Sequence, residues 1–209
     1  LYVIEDNAQA IGADYTYVNG TKQKAGVIGH IGTTSFFPSK NLGCYGDGGA
    51  IFTNDDALAE RIRMVANHGQ SKQYVHDIIG VNSRLDTIQA AVLDVKLQYL
   101  DEYAAKRLAV ADAYDEAFAN IAGVTTPARA YNSTHVFHQY TLQLNGVDRN
   151  TIRQKLQEKG VPSMIYYPIP VHQQKAYYNS MYTNEMFNVT NKLCETVLSL
   201  PIHTEMDSE

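Results

Sequence analysis

Apolar positions along the chain alternate between strand-like runs and helix-like spacing. Residues 1–4 form a continuous apolar run that stops at two carboxylates, Glu5 and Asp6, as a buried parallel strand does at its functional end. Residues 33–37 form a second run of β-branched and aromatic side chains, which Pro38 prevents from continuing as a central strand. A third strand is predicted over 50–53, followed by a helix capped by Asn54 or Asp55 and ending near Ala66. From Leu85, apolar residues at Ile88, Val92, Val95, Tyr99 and Tyr103 step by three or four, predicting a long helix to about Asn120 with room for a bend. Its stripe reads as core packing rather than a coiled-coil seam, because the repeat does not continue elsewhere. Alternation over 136–144 predicts a half-buried strand, and Asp148 opens a helix through Lys159 that Gly160 ends. A strand over 161–167 and a helix over 188–198 complete an α/β succession of two unequal domains, with 122–133 as the most linker-like stretch.

Two strand ends carry the candidate chemistry. Asp6 sits at the end of the first run, and Lys40 follows the second on the segment Ser35-Phe36-Phe37-Pro38-Ser39-Lys40. Open α/β sheets bind ligands outside the carboxyl ends of their strands, so adjacent strands would present both residues to one cofactor. A lysine amine condenses with an aldehyde to give a Schiff base, and a carboxylate facing a pyridine nitrogen keeps it protonated; together they describe a site for pyridoxal 5'-phosphate (PLP). Gln9 is placed to bond the ring oxygen and Ser35 the phosphate. Alone, a loop lysine is usually a solvated charge and a strand-end aspartate a helix cap. The joint pattern carries the weight, continued by Asn41-Leu42-Gly43-Cys44-Tyr45-Gly46-Asp47-Gly48-Gly49-Ala50 and Gly80-Val81-Asn82-Ser83-Arg84-Leu85-Asp86-Thr87-Ile88-Gln89-Ala90-Ala91.

These segments, in this order and with Tyr167-Pro168-Ile169-Pro170-Val171-His172 as a fourth, resemble the DegT/StrS family of fold-type-I PLP-dependent sugar-nucleotide aminotransferases over essentially the whole chain. The resemblance implies an α/β fold: residues 1–100 as the C-terminal half of the PLP-binding large domain, with a mainly parallel sheet, and 101–209 as a linking helix and an incomplete small domain. It implies Asp6 on the pyridine nitrogen, Gln9 on the ring oxygen, Ser35 on the phosphate and Lys40 in the internal aldimine. Asn82 would reach the cofactor phosphate of a partner subunit in a homodimer with shared sites, and Arg84 would lie near the substrate. Tyr167 is the better-supported substrate residue; Tyr166 stands where the family often has histidine. The implied reaction moves an amino group, from glutamate, to a nucleotide-diphosphate-linked keto sugar, and the Gly-Val-Asn-Ser-Arg-Leu-Asp version of the motif looks most like members acting at a C3 ketone. The alternatives are a PLP-dependent sugar dehydratase, in which histidine typically replaces the lysine, and a PLP-binding regulatory protein without turnover. Against family members, the chain reads as a fragment lacking the first half of the large domain and a terminal segment.

Composition narrows the remaining classes. With 17 Lys and Arg against 22 Asp and Glu, the net charge of -5 gives no basic field for nucleic acid. No apolar stretch approaches the roughly twenty residues that cross a bilayer, and the N-terminus is not a signal peptide. Cys44 and Cys194 form neither a CxxC nor a disulfide framework, which suits a cytoplasmic enzyme. Gly43, Gly46, Gly48 and Gly49 precede no Gly-Lys-Ser/Thr and are assigned to turn geometry rather than a nucleotide loop. His135 and His138 have ligand-like spacing, but on a strand they would face opposite ways, so no metal is expected.

Overall fold

In the computed structural model, which describes residues 1–206, the first strand, β1, is Ile4–Asp6. It starts later than its apolar run: Leu1 and Tyr2 are exposed, and the Val3 carbonyl accepts from the amides of His30 and Ile31. A hairpin of β2 (Asp14–Thr16) and β3 (Lys22–Lys24) follows, then β4 (Ile31–Ser35) and β5 (Gly49–Phe52). β4 begins before the predicted run and stops at Ser35, two residues short of its predicted end. β1 pairs with β4 in parallel, matching Asp6 with Thr33, and β5 lies antiparallel on the other side of β4, matching Ser35 with Gly49.

The close approach of chain segments under this sheet explains Gly32. A Cβ on Gly32 would lie 1.8 Å from the Gly26 carbonyl oxygen, so the loop before β4 can press onto the sheet only where there is no side chain. Glu5 ties down that loop, its carboxylate accepting from the amides of Gly26, at 2.8 Å, and Gly29.

Helix α1 (Asp56–Ala66) is capped by Asp55, whose side chain accepts from the amides of Ala57 and Leu58 at 2.9 and 3.0 Å. After the hairpin of β6 (Gln70–Lys72) and β7 (Val75–His76), the long helix divides into α2 (Thr87–Leu97) and α3 (Leu100–Phe118), the bend falling at Gln98 and Tyr99. The apolar stripe does not pack as predicted. Ile88 is 74% exposed and Val95 59%, whereas Leu93 is the residue that α2 buries. The face turned inward carries Gln89, Leu93 and Lys96, which step by four and three. Leu93 joins Phe36, Leu42 and Cys44 in a core that Ile11, Ala50 and Leu100 extend.

Two compact units result. The first contains residues Leu1–Leu108 and Arg129–His138, the second Ala109–Ala128 and the chain from Gln139. In the second, an antiparallel sheet runs in the order β10-β9-β8, from β8 (Val124–Thr125), β9 (Tyr140–Leu144) and β10 (Val197–Leu200). Alternate residues of β9, Tyr140, Leu142 and Leu144, are buried, and the Tyr140 hydroxyl donates to Asp115 at 2.6 Å. α4 (Arg149–Glu158) starts at the Asp148 cap and stops before Gly160, at φ 77°, where a side chain would be strained.

Three further predicted elements differ. The strand over 136–144 is shortened to β9, because the carbonyls of Val136, Phe137 and His138 are taken by side chains and Phe137 turns to φ 44°. Over 161–167, Met164 forms a single bridge with Ser199; Pro162 has no amide to extend it. The last helix, α5 (Asn188–Thr196), ends two residues early because Val197 and Leu198 pair with Gln143 and Leu142 of β9.

Candidate functional site

Register brings Asp6 and Ser35 to the same sheet end. Asp6 is level with Thr33, and Ser35 lies two residues further along β4 on the same face. The Asp6 Oδ1 accepts from the Ala8 amide at 3.1 Å; among the described residues no hydrogen bond engages Oδ2, and the residue is exposed. Gln9 is exposed on the turn that follows. The Ser35 Oγ accepts from the Phe37 amide at 3.3 Å.

Lys40 closes the next turn, its amide donating to the Phe37 carbonyl at 2.8 Å, and its side chain is half-buried. The loop beyond it is fixed from three directions. Asn41, 6% exposed, donates from Nδ2 to the Val136 carbonyl at 2.7 Å. Cys44 is fully buried, and both its amide and its Sγ donate to the Phe36 carbonyl, at 2.8 and 3.0 Å. From α2, Gln89 accepts the Tyr45 amide at 2.8 Å and the Lys96 ammonium donates to the Gly43 carbonyl. The glycines here serve close packing: a Cβ on Gly43 would meet the Pro38 oxygen at 2.4 Å, and one on Gly48 would meet Leu85 at 2.8 Å. Gly43, Gly46, Gly48 and Gly49 have no positive φ, so none of them is there to supply a left-handed turn position.

Asn82 and Arg84 stand on the exposed segment before α2, where Asn82 bridges to Asn67. Arg84 lines a cleft of ≈ 490 Å³ with Arg63, Gln70 and Ser83. Tyr166 and Tyr167 belong to the second unit and are exposed. Their rings meet edge to face, with centroids 5.6 Å apart.

Beside the lysine turn lies the 136–138 segment. Burial, then the nearby charges of Lys40 and Arg107, hold the His138 imidazole down at about 4, so the ring is neutral at pH 7. Arg107 is buried, and its Nη1 donates to the carbonyls of Phe137 and His138 at 3.0 and 3.4 Å. Sequence reasoning missed the parts played by Glu5, Asn41, Gln89, Arg107 and His138. For Asn41 a signal exists: a lone amide opening the run Asn41-Leu42-Gly43-Cys44, all of it buried.

Among the described residues, no helix is long and apolar enough to cross a membrane, and no group of three or more His, Cys, Asp and Glu side chains is placed to hold a metal ion.

A carboxylate, an amide, a hydroxyl and an amine lie at or just beyond the carboxyl ends of two strands paired in parallel, the place where open α/β sheets bind ligands. The DegT/DnrJ/EryC1/StrS aminotransferase family matches residues 1–209, and the chain belongs to that family. It is 43% identical over 206 residues to the UDP-2-acetamido-2-deoxy-3-oxo-D-glucuronate aminotransferase of Pseudomonas aeruginosa, covering 99% of this chain and 54% of that protein. It is 43% identical over 211 residues to a pleiotropic regulatory protein of Geobacillus stearothermophilus, covering 100% of this chain and 55% of that one. Among solved structures, S. venezuelae DesV in complex with a ketimine intermediate has a TM-score of 0.92 at 38% identity, covering 100% of this chain and 54% of DesV. The fold is accordingly the mixed α/β fold of type I PLP-dependent transferases, represented in part. The chain spans about half the length of the relatives it matches. Members of this family are PLP-dependent.

Proposed function

We propose that the whole protein is a PLP-dependent aminotransferase that moves an amino group, from glutamate, to a nucleotide-diphosphate-linked keto sugar. The carrying observation is the placement of Asp6 and the Lys40 turn at the carboxyl ends of parallel-paired β1 and β4. When bound, PLP supplies an electron sink that lets one site take an amine from an amino acid and give it to a ketone. The Asp6 carboxylate would hold the proton on the ring nitrogen, Gln9 would donate to the ring oxygen, and Ser35 would donate to the phosphate. Lys40 would hold the cofactor covalently and, once released, move the proton at the amine-bearing carbon from its Nζ.

The residues fit this cofactor in kind: an acceptor-only carboxylate for a protonated ring nitrogen, neutral donors for oxygen atoms, and one amine as nucleophile. Asn82 and Arg84 would serve the site of a second subunit in a homodimer. The exposed Ile88 and Val95 beside them support this, since an apolar helix face of that kind is normally covered. Tyr166 and Tyr167 would contact the sugar. The Pseudomonas relative acts on a 3-oxo sugar by its name, which supports a C3 ketone here.

Three measurements test the reading. Borohydride added to the whole protein with PLP should fix the cofactor on the Lys40 peptide, and Lys40→Ala should abolish turnover. Amine transfer from labelled glutamate to a panel of nucleotide keto sugars should yield aminosugar. The name of the Geobacillus relative favours a second reading, a PLP-binding regulatory protein, for which Lys40 labelling without transfer to any sugar would be the result. A deoxygenated product would point instead to a dehydratase, which Lys40 argues against.

A further inference from the structure

The 136–138 segment is fixed by hydrogen bonds with three side chains, one of which, Asn41, belongs to the lysine turn's own loop. Asn41, the residue after Lys40, donates to the Val136 carbonyl at 2.7 Å, and Arg107 donates to those of Phe137 and His138 at 3.0 and 3.4 Å. His135 Nδ1 accepts from the Phe137 amide at 2.9 Å. Phe137 sits at φ 44°, a backbone conformation that costs a non-glycine residue about 1–3 kcal/mol and persists only where its surroundings over-determine it. With the Phe137 side chain 1% exposed, the segment has little freedom, and the next ring, His138, is delivered to one place.

His138 Nδ1 is closed off from solvent and has no hydrogen-bond partner among the described residues. A buried polar atom left unpaired costs free energy, so it calls for a reason. The flexible donor whose charge reaches the ring is Lys40, a compact amine on a four-carbon stem that can swing. The other charge felt there, Arg107, is held by the carbonyls of Phe137 and His138.

We propose that His138 is a positioning residue for Lys40, its Nδ1 accepting a hydrogen bond from the lysine amine whenever that amine is not engaged with the cofactor. The ring receives the released amine and keeps it aimed for the next capture. Because the ring is neutral at working pH, it offers an acceptor without repelling an ammonium. This inference rests on the assignment of Lys40 under the proposed function.

The test uses the whole protein freed of cofactor, mixed with PLP and quenched with borohydride at timed intervals, with Lys40 labelling read by peptide mass. His138→Leu should slow capture about tenfold, the rate equivalent of one charge-assisted hydrogen bond. His138→Asn, which sets a carbonyl oxygen where Nδ1 stood, should restore capture to within about twofold of the parent rate. Leu and Asn variants slowed alike, or both as fast as the parent, overturn the role of His138 while leaving the assignment of Lys40 intact. A parent protein that takes no label on Lys40 overturns both.

Discussion

Asn41 and Val136 lie 95 residues apart in sequence, yet the amide nitrogen of one donates to the backbone oxygen of the other at 2.7 Å with both residues buried. Asn41→Leu keeps the volume and removes the donor, leaving the Val136 carbonyl without its partner in a dry environment. The expected loss is about 1–3 kcal/mol of stability, read from urea unfolding of the whole protein. A change within about 0.5 kcal/mol would show that the bond is dispensable.

Gly43→Ala tests the packing of the loop. Its new methyl would meet the Pro38 oxygen at 2.4 Å, so the loop must shift, and with it the turn that ends in Lys40. Borohydride trapping of PLP on Lys40 should fall well below the parent level, whereas Gly20→Ala, which meets nothing within 4 Å, should trap normally even though its backbone, at φ 85°, strains a side chain. Equal trapping by both variants would refute the packing argument.

The neutral His138 ring predicts acid sensitivity. Its folded value of about 4 lies below the ordinary histidine value of 6.5, so between the two the unfolded chain binds the extra proton and the folded chain does not. Stability from this group is therefore present above pH 6.5 and is lost as pH falls toward 4. His135, lowered by burial and then by Arg129, acts in the same direction. Melting temperature should decline across that window, and His138→Asn should flatten the decline; a profile unchanged by the substitution would remove His138 as its source.

Asp55→Ala removes the side chain that satisfies two amides at the start of α1. A loss of about 1 kcal/mol in denaturant unfolding is expected, and Asp55→Asn should recover most of it.

What the sequence made legible was local or chemically rigid. Asp55, Asp148 and Gly160 bound their helices as predicted because a cap needs only its own next turn. Asp6 ends β1, and β1 pairs with β4, as expected, since an apolar run that stops at polar chemistry has few other uses, although β4 stops at Ser35 rather than at Phe37. The failures share one cause. The 136–139 stretch alternates like a strand, but distant side chains, Asn41 and Arg107, take the carbonyls a ladder would need. Val197 and Leu198 fit a helix stripe equally well, and pairing with β9 decides for a strand. The stripe on α2 marks an apolar face correctly, but its periodicity does not say whether this chain or another molecule covers it.

The first unit is assembled from two stretches separated by twenty residues of the second, Ala109–Ala128. During synthesis the lysine turn therefore emerges long before its backbone partner at Val136. A nascent chain that ends before Arg129 still has the Asn41 amide bonded to water and the Lys40 turn without the segment that flanks it, so the surroundings of that turn are completed only after the first twenty residues of the second unit have been made.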